Sequence, residues 1–248
     1  MSVKLYPDYN EYIIRLPNGE LNENSCCKLA GYHELICAAA ECELTRCGES
    51  ITNTAGRGYA WALTSFTVNV DRPVKDCRDL SCQTWISPPL PPFSRREISI
   101  ADTEGSAFIR ASLFFVPLDI NTHRILRTVP LYDCERFAAG DILIEEAVHR
   151  HTDAKEYCRA RTRTVNPSDI DALGHMNNCR YGAMVYDAFD KAEREIFSAP
   201  FTYIIDFRRQ LCEGDAVTVD RSAENGVIYV RGVGESGRVS FSAQVFSK

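Results

Sequence analysis

The stretch SDIDALGHMNN, residues 168–178, decides how the rest of the chain is interpreted. Its eleven positions hold two carboxylates, an imidazole, a glycine and two amides, and an amphipathic helical pattern begins directly after them. A carboxylate can act as a base or a nucleophile, and the free N–H groups at a helix start can stabilise an oxyanion. Surface loops rarely combine all of these groups, so this stretch is the candidate active site.

Composition and charge limit the classes of protein to which the chain can belong. Of its 248 residues, 45% are hydrophobic and 25% are charged, as in ordinary globular proteins, and the length suits one large domain or two smaller ones. The net charge of −6 argues against a surface that coats nucleic acid. The sequence shows no run of about 20 apolar residues and no signal-peptide core, which predicts a cytoplasmic protein without stable membrane association.

Cysteine and histidine spacing gives no sign of a metal centre. The eleven cysteines are scattered, Cys26 and Cys27 are adjacent, and the sequence has no Cys-x-x-Cys pair. The histidines do not show the spacing of zinc ligands. We therefore expect reduced thiols that pack as small apolar residues, and we expect neither a metal nor a cofactor.

The first half of the chain shows one helical pattern between strand-like stretches. Residues 9–15 resemble a strand, and a helix is predicted to begin at Asn22 or Asn24, both good N-cap residues. After the glycine-rich turn at 55–58 the apolar period changes from helical spacing to two, which is typical of a half-buried strand. The predicted strands lie at 66–71, 79–86, 95–101 and 107–117. The predicted apolar helix face consists of Leu29, Tyr32, Ile36 and Ala39.

The second half repeats this order of elements. Residues 158–165 alternate like a strand, the loop at 168–178 follows, and a helix is predicted from Asn178 to Phe197, before Pro200. The predicted strands lie at 202–210, 215–220, 226–233 and 238–246. The predicted apolar helix face consists of Tyr181, Met184 or Val185, Ala188 or Phe189, Ala192 and Ile196.

The repeat predicts an α+β fold made of two similar units. A single long helix needs an apolar surface, which a curved antiparallel sheet can provide, and two such sheets can join so that each loses an exposed edge. The alternative is two independent domains on a flexible linker, but the connecting segment is not rich in glycine or serine. We predict an N-terminal domain at 1–130, a connector at 131–156 and a C-terminal domain at 157–248.

The two halves differ at the informative loop. If Asn24 is aligned with Asn178, Pro17 falls opposite Asp171 and Leu21 falls opposite His175. The first half therefore lacks the reactive groups, and we expect one active site per chain.

The segment Asp169–Tyr181 resembles the signature Asp-x-Asp-x-x-Gly-His-x-Asn-Asn-x-x-Tyr of hotdog-fold thioesterases. Over nearly its full length the chain also resembles the acyl-ACP thioesterases, a family with a tandem double hotdog fold. The resemblance implies that each half is a curved antiparallel sheet wrapped around one long helix. It also implies hydrolysis of fatty acyl-ACP, which ends fatty acid synthesis. The other matching segments are 61–63, 71–73, 84–86, 118–119, 122–124, 206–209 and 214–215.

The resemblance also implies roles for the loop residues. Asp171 is the expected catalytic carboxylate and acts as general base or as nucleophile, with His175 and Asn177 as its catalytic partners. The family usually has Asn at the position of Leu173 and often has Glu at the position of Gln210, so this chain departs from the plant-type catalytic set. The residues expected to position the substrate or its oxyanion are Gly174, Met176 and Asn178. The candidate auxiliary residues are Gln210 and Cys212.

Several alternatives stay open at this point. Cys212, His175 and an asparagine could form a thiol-dependent triad. The substrate could be an acyl-CoA rather than acyl-ACP, and a non-catalytic acyl-binding protein and a hotdog dehydratase are further alternatives. The unit could be a monomer or a homodimer.

The expected partner is acyl carrier protein, which is acidic, so docking requires a local basic patch. The acyl tail needs an apolar tunnel, which we place between the first-half helix and its sheet. The candidate patches are Arg159, Arg161 and Arg163, which alternate along one strand, the pair Arg208 and Arg209, and the pair Arg95 and Arg96.

Overall fold

The computed structural model describes residues 11–76, 79–126, 137–147, 153–154 and 156–248. Three α-helices are present in these ranges: α1 (Leu29–Arg46), α2 (Ile51–Gly56) and α3 (Asn178–Tyr186). The first-half strands are β1 (Glu11–Arg15), β2 (Tyr59–Val70), β3 (Asp79–Leu90), β4 (Phe93–Asp102) and β5 (Ala107–Asp119). The second-half strands are β6 (Cys158–Thr164), β7 (Phe201–Phe207), β8 (Ala216–Glu224), β9 (Val227–Gly234) and β10 (Val239–Ser247).

All ten strands form one antiparallel sheet in the order β1-β3-β4-β5-β2-β7-β10-β9-β8-β6. The order within the second half mirrors the order within the first. The halves join where β2 pairs with β7, from Ser65 opposite Asp206 to Val70 opposite Phe201. Because each half contributes its β2 or β7 edge to this pairing, neither of those edges is left exposed.

The predicted apolar patterns of the core are confirmed. Leu29, Tyr32, Ile36 and Ala39 of α1 are all fully buried, and so are Phe66, Val68 and Val70 of β2. Helices α1 and α3 pack against each other on the inner face of the sheet. This contact brings the first-half helix beside the candidate catalytic loop.

The predicted start of the first helix is wrong, because α1 begins at Leu29 rather than at Asn22 or Asn24. The side-chain oxygen of Asn22 accepts the N–H groups of Asn24 and Cys26 at 2.9 and 3.0 Å. An asparagine that bonds its own following backbone forms a turn that competes with a helix. The chain therefore completes this turn before α1 begins.

The predicted end of the second helix is also wrong, because α3 ends at Tyr186 rather than at Phe197. Asp190 and Glu193 cap each other: each side chain accepts the other's backbone N–H, at 2.8 and 2.9 Å. This reciprocal pair forms a turn, and a separate short 3-10 helix follows at Glu193–Ser198. As a consequence Ala192, predicted to be on the apolar face, is exposed.

The described part of the connector, residues 137–147, packs on the sheet. Trp85 donates its indole N–H to the carbonyl oxygen of Asp141 at 2.8 Å, and Ile144 packs against Phe114. Residues 127–136 and 148–152 lie outside the described residues. Within the described ranges, no helix combines the length and apolarity that crossing a membrane requires.

Candidate active site

The candidate loop is a tight turn built around Asp171. Its Oδ1 accepts the N–H groups of Leu173 at 2.8 Å and of His175 at 3.4 Å, and its own N–H donates to the carbonyl oxygen of His175 at 2.8 Å. Gly174 sits at φ +79°, in the left-handed region that glycine enters without strain. The turn therefore fixes one carboxylate oxygen of Asp171 in its own backbone hydrogen bonds.

The loop is anchored on both sides. The Met176 N–H donates to the Leu211 carbonyl oxygen at 2.7 Å, which ties the loop to the segment after β7. The Asn177 N–H donates to the Asp169 carbonyl oxygen at 2.8 Å, and the Asp169 carboxylate forms an ion pair with Arg163 at 2.7 Å. Asp169 is buried and takes part in a capping box with Asn166, as expected for a residue that shapes the loop.

The start of α3 presents one unused backbone donor. Asn177 is the N-cap, and its Oδ1 accepts the Cys179 N–H at 2.8 Å. The N–H groups of Gly174, Met176 and Asn177 donate to carbonyl oxygens of the protein. The N–H of Asn178 makes no hydrogen bond within the described part of the chain. It lies at the positive end of the helix dipole, where a developing negative charge is stabilised.

A histidine of the first half holds this helix start in place. His33 of α1 is fully buried, and its Nδ1–H donates to the carbonyl oxygen of Asn178 at 2.9 Å. A carbonyl oxygen can only accept, so Nδ1 carries the proton of the neutral ring. The other ring nitrogen, Nε2, therefore accepts a hydrogen bond from the hydroxyl of Tyr203 at 2.8 Å. Burial lowers the pKa of His33 to about 4, so the ring is neutral at physiological pH.

The first half contains the same loop, built on Asn22. The Asn22 Oδ1 accepts the N–H groups two and four residues later, as the Asp171 Oδ1 does. The bridge between Leu21 and Cys27 repeats the bridge between Ile170 and Met176. The predicted alignment of Pro17 with Asp171 and of Leu21 with His175 is therefore wrong. An amide, Asn22, stands opposite the carboxylate, and Cys26 stands opposite His175.

The chain after α3 covers the first-half loop. Asn24 donates its side-chain amide to Glu195 at 3.0 Å, and the Cys26 thiol contacts the Ser198 hydroxyl at 3.6 Å. The short 3-10 helix that carries Glu195 thus lies over the loop that has Asn22 in place of Asp171.

The second-half loop borders a cavity of about 1250 Å³. This volume lies above the 300–1000 Å³ that small-ligand pockets usually have. At one end the lining includes Asp171, His175, Asn178 and Gln210. The first half contributes α1 residues, among them Cys37 and Leu44, and the strand residues Trp61, Leu63 and Phe115. The cavity therefore lies between the loop of one half and the helices and strands of the other, which contribute apolar side chains together with the carboxylates of Glu34, Glu41 and Glu49.

A family model for the acyl-ACP thioesterase N-terminal domain matches residues 9–132, which is half of the chain. The chain belongs to the acyl-ACP thioesterase family. It is accordingly a thioester hydrolase. A comparison with curated proteins found no match.

Two solved structures show that this thioesterase has the hotdog fold. An acyl-ACP thioesterase from Bacteroides thetaiotaomicron superimposes with a TM-score of 0.83 at 17% identity, over 96% of this chain and 97% of the other. A 12:0-ACP thioesterase from Umbellularia californica superimposes with a TM-score of 0.80 at 16% identity, over 98% of each chain. These likenesses establish the fold alone.

The structure separates the site candidates of the thioesterase into two groups. The residues that line the cavity are Asp171, His175, Met176, Asn177, Asn178 and Gln210. Of these, Met176 is almost completely buried, with a relative exposure of 3%. Gly174 and Cys212 do not line it. Cys212 is exposed, and its N–H donates to Asp215 at 2.8 Å in the turn before β8. This placement weakens the thiol-triad alternative.

His123 is a cavity residue that sequence reasoning did not include among the site candidates. Its ring centroid lies 6.3 Å from that of His175, in an edge-to-face arrangement. Asp119 holds the preceding turn by accepting the Thr122 N–H at 2.7 Å. The Thr122-His123-Arg124 segment, which follows the long strand β5, was the sequence signal that could have indicated His123. The proximity of His123 to His175 depends on the tertiary fold, which a local segment does not reveal.

Two of the predicted basic patches are wrong. Arg95 and Arg96 are buried, and Arg95 forms an ion pair with Glu97 at 2.7 Å, so neither is available for docking. A β-bulge in β6 lies between Arg159 and Arg161. Arg159 pairs with Asp220, whereas Arg161 and Arg163 pair with the buried residues Val219 and Val217. Directly paired residues share a face, so Arg159 lies on the opposite face from the other two.

The remaining patch, Arg208 and Arg209, borders the cavity beside Gln210. Arg208 forms an ion pair with Asp153 at 2.9 Å, whereas Arg209 is exposed. In the described ranges no three metal-binding side chains come together.

Proposed function

We propose that this thioesterase hydrolyses fatty acyl-ACP to free fatty acid and ACP, and so terminates fatty acid synthesis. One observation carries the proposal: the cavity begins at Asp171 and His175 and continues between α1 and the first-half strands. Its catalytic end has the polar groups that a thioester requires. On the first-half side, lining residues such as Leu44, Leu63 and Phe115 offer apolar surface for an acyl chain.

We further propose that the fold is a tandem double hotdog with domains at 1–130 and 157–248 and a connector at 131–156. The mirrored strand order and the repeated loop around Asn22 and Asp171 support this division. In this arrangement the first domain supplies acyl space and the second supplies the reactive groups.

In the proposed mechanism the thioester carbonyl oxygen binds at the Asn178 N–H, and its carbon faces Asp171. The Oδ1 of Asp171 is engaged in the turn, so Oδ2 either takes a proton from water or attacks the carbonyl carbon. His175 orients the water or the substrate. Asn177 and His33 act through α3, because both hold its first turn.

The Asp171→Asn variant tests the role of the carboxylate. Asn22 shows that an asparagine makes the same two backbone bonds in this loop, so the variant should fold normally. Its kcat on acyl-ACP should fall on the order of 1000-fold, the usual size of general-base catalysis. Wild-type activity in a variant with an unchanged circular dichroism spectrum would exclude Asp171 as the reacting group.

Single-turnover hydrolysis in ¹⁸O-labelled water separates the two roles of Asp171. If Asp171 activates water, the label enters the fatty acid in the first turnover. If Asp171 attacks directly and water then opens the mixed anhydride at the Asp171 carbonyl carbon, the bridging enzyme oxygen leaves with the first fatty acid and the label enters the Asp171 carboxylate. Label in Asp171 is therefore the result that identifies direct attack.

The Arg209→Glu variant tests docking of the acidic carrier. We expect KM for acyl-ACP to rise about tenfold, because a rim charge acts on association, while hydrolysis of the matching acyl-pantetheine is unchanged. Arg159→Glu, which changes an exposed arginine on β6, is the matched control. Equal effects of both variants, or a wild-type preference for acyl-CoA over acyl-ACP, would contradict the proposed partner.

A further inference from the structure

Two cysteines from different helices meet in the wall of the cavity. Cys37 lies on α1 and Cys179 lies in the first turn of α3, and both are free, partly exposed and part of the cavity lining. Interaction with the neighbouring Cys179 thiol raises the pKa of Cys37 well above its usual value. Neither has a role in the proposed hydrolysis.

The packing of the two helices fixes this contact. A Cβ atom at Gly182 of α3 would lie 2.8 Å from the Leu29 carbonyl oxygen, which shows how closely the helices cross. His33 bonds to the Asn178 carbonyl oxygen at 2.9 Å. Cys37 lies one turn after His33 on the same face of α1, and Cys179 directly follows Asn178. The same helix crossing therefore brings Cys37 and Cys179 to neighbouring positions in the cavity wall.

Three of the other described cysteines lack this arrangement. Cys26 and Cys27 are buried, and their thiols contact Ser198 and the Lys28 carbonyl oxygen. Cys158 is exposed on the edge strand β6, and its thiol contacts the Arg221 carbonyl oxygen.

We infer that Cys37 and Cys179 form a reversible oxidation site that, when converted to a disulfide by a small-molecule disulfide, switches the thioesterase off. Cys179 attacks the oxidant RSSR, forms a mixed disulfide and releases one RS⁻, which takes up the proton that Cys179 gave up. Cys37 then attacks the Cys179 sulfur, loses its proton and releases the second RSH. The balance is two protein thiols plus RSSR giving one protein disulfide plus two RSH.

The order of attack follows from the environment of Cys37. Interaction with the Cys179 thiol, together with burial, holds the pKa of the Cys37 thiol well above its usual value. Because the thiolate is the nucleophile, Cys37 suits the second step, in which the partner sulfur is already beside it.

The disulfide disturbs the reaction because of where Cys179 lies. A disulfide requires a sulfur–sulfur distance of about 2.05 Å, and forming one here would link the first turn of α3 covalently to α1. That turn contains the Asn178 N–H, and displacing a catalytic group by about 1 Å can lower a rate about 100-fold. This consequence rests on the proposed function, whereas formation of the disulfide does not.

The experiment treats the reduced full-length enzyme with oxidised glutathione and then measures thioester hydrolysis and the cysteine linkages. We expect an at least tenfold loss of activity, full recovery with dithiothreitol, and a Cys37–Cys179 linked peptide in non-reducing mass spectrometry. Cys37→Ser and Cys179→Ser, each compared with its own reduced activity, should not form the link. Cys158→Ser is the control and should respond as wild type does.

Three results overturn the inference. The first is the absence of the linked peptide in oxidised wild-type enzyme, and the second is a linked enzyme that keeps full activity. The third is an equal, dithiothreitol-reversible loss in both serine variants. If the reduced enzyme hydrolyses no acyl thioester, the proposed function fails, but peptide mapping still decides whether the disulfide forms.

Discussion

His33 predicts a measurable dependence of stability on pH. Its ring is fully buried and neutral, and burial lowers its pKa from 6.5 to about 4. Between these two values the unfolded chain binds a proton that the folded chain does not bind. The contribution of His33 to the free energy of unfolding is therefore complete above pH 6.5 and is lost as the pH falls toward about 4.

The size of the effect follows from the shift in pKa. At about 1.4 kcal/mol for each pKa unit, complete protonation costs about 3 kcal/mol, and about 2 kcal/mol of this is lost between about pH 7.5 and about pH 5. Carboxylates with lowered pKa values also titrate, but in a more acidic range. For example, burial alone would raise the pKa of Glu43, but hydrogen bonds from Arg46 and Tyr12 lower that pKa to about 2.

The assay compares wild type with His33→Gln, which keeps a hydrogen-bonding side chain but does not titrate. Urea unfolding followed by circular dichroism at several pH values gives the free energy of unfolding for each protein. We expect the wild-type curve to fall about 2 kcal/mol further than the variant curve by about pH 5. Parallel curves would refute the reasoning, because they would mean that His33 takes up its proton without penalty in the folded state.

Three further predictions concern the helix crossing, the repeated loop and the exposed thiol. Gly182→Ala should destabilise the protein by about 1–2 kcal/mol in urea unfolding, because a Cβ there would lie 2.8 Å from the Leu29 carbonyl oxygen. Gly19→Ala, where nothing lies within 4 Å of the added carbon, should be close to neutral. Asn22→Ala removes the acceptor of two backbone N–H groups and should cost about 1–3 kcal/mol, whereas Asn22→Asp should retain both bonds and should not restore hydrolysis to Asp171→Asn. Cys212→Ser should keep kcat within about twofold, because Cys212 lies outside the cavity lining; a loss on the order of 100-fold would revive the thiol triad.

Local patterns in the sequence predicted most of the fold. The alternation in β2 and the spacing along α1 depend only on which side of each element meets the core, so periodicity was sufficient. The loop around Asp171 was also recognisable, because its turn, glycine and N-cap are all consecutive in sequence. The ends of the strands were predicted less accurately than their positions. Strands β3 and β8 each extend four residues beyond their predicted ends at 86 and 220.

The features that the sequence did not predict depend on competing side-chain bonds or on distant contacts. Asp190 and Glu193 bond to each other's backbone just after α3 ends, although the apolar spacing continues past this point. The bulge in β6 reversed the face of Arg159, and a bulge leaves no periodic signal. The contact of His33 with Asn178 joins residues 145 positions apart, which no local pattern can indicate.

The two halves build the same hydrogen-bonded turn on different side chains. Asn22 can accept the same backbone N–H groups as Asp171, so the turn that leads into α1 is preserved. An amide cannot take a proton from water as a carboxylate does, so the chemistry is lost without loss of the fold. The space beside this loop is then free for protein, and the segment that follows the short helix α3 covers it. Beside Asp171 the longer helix α1 instead forms a wall of the cavity. The two halves therefore use the space beside the same turn differently, because one fills it with protein and the other leaves a cavity.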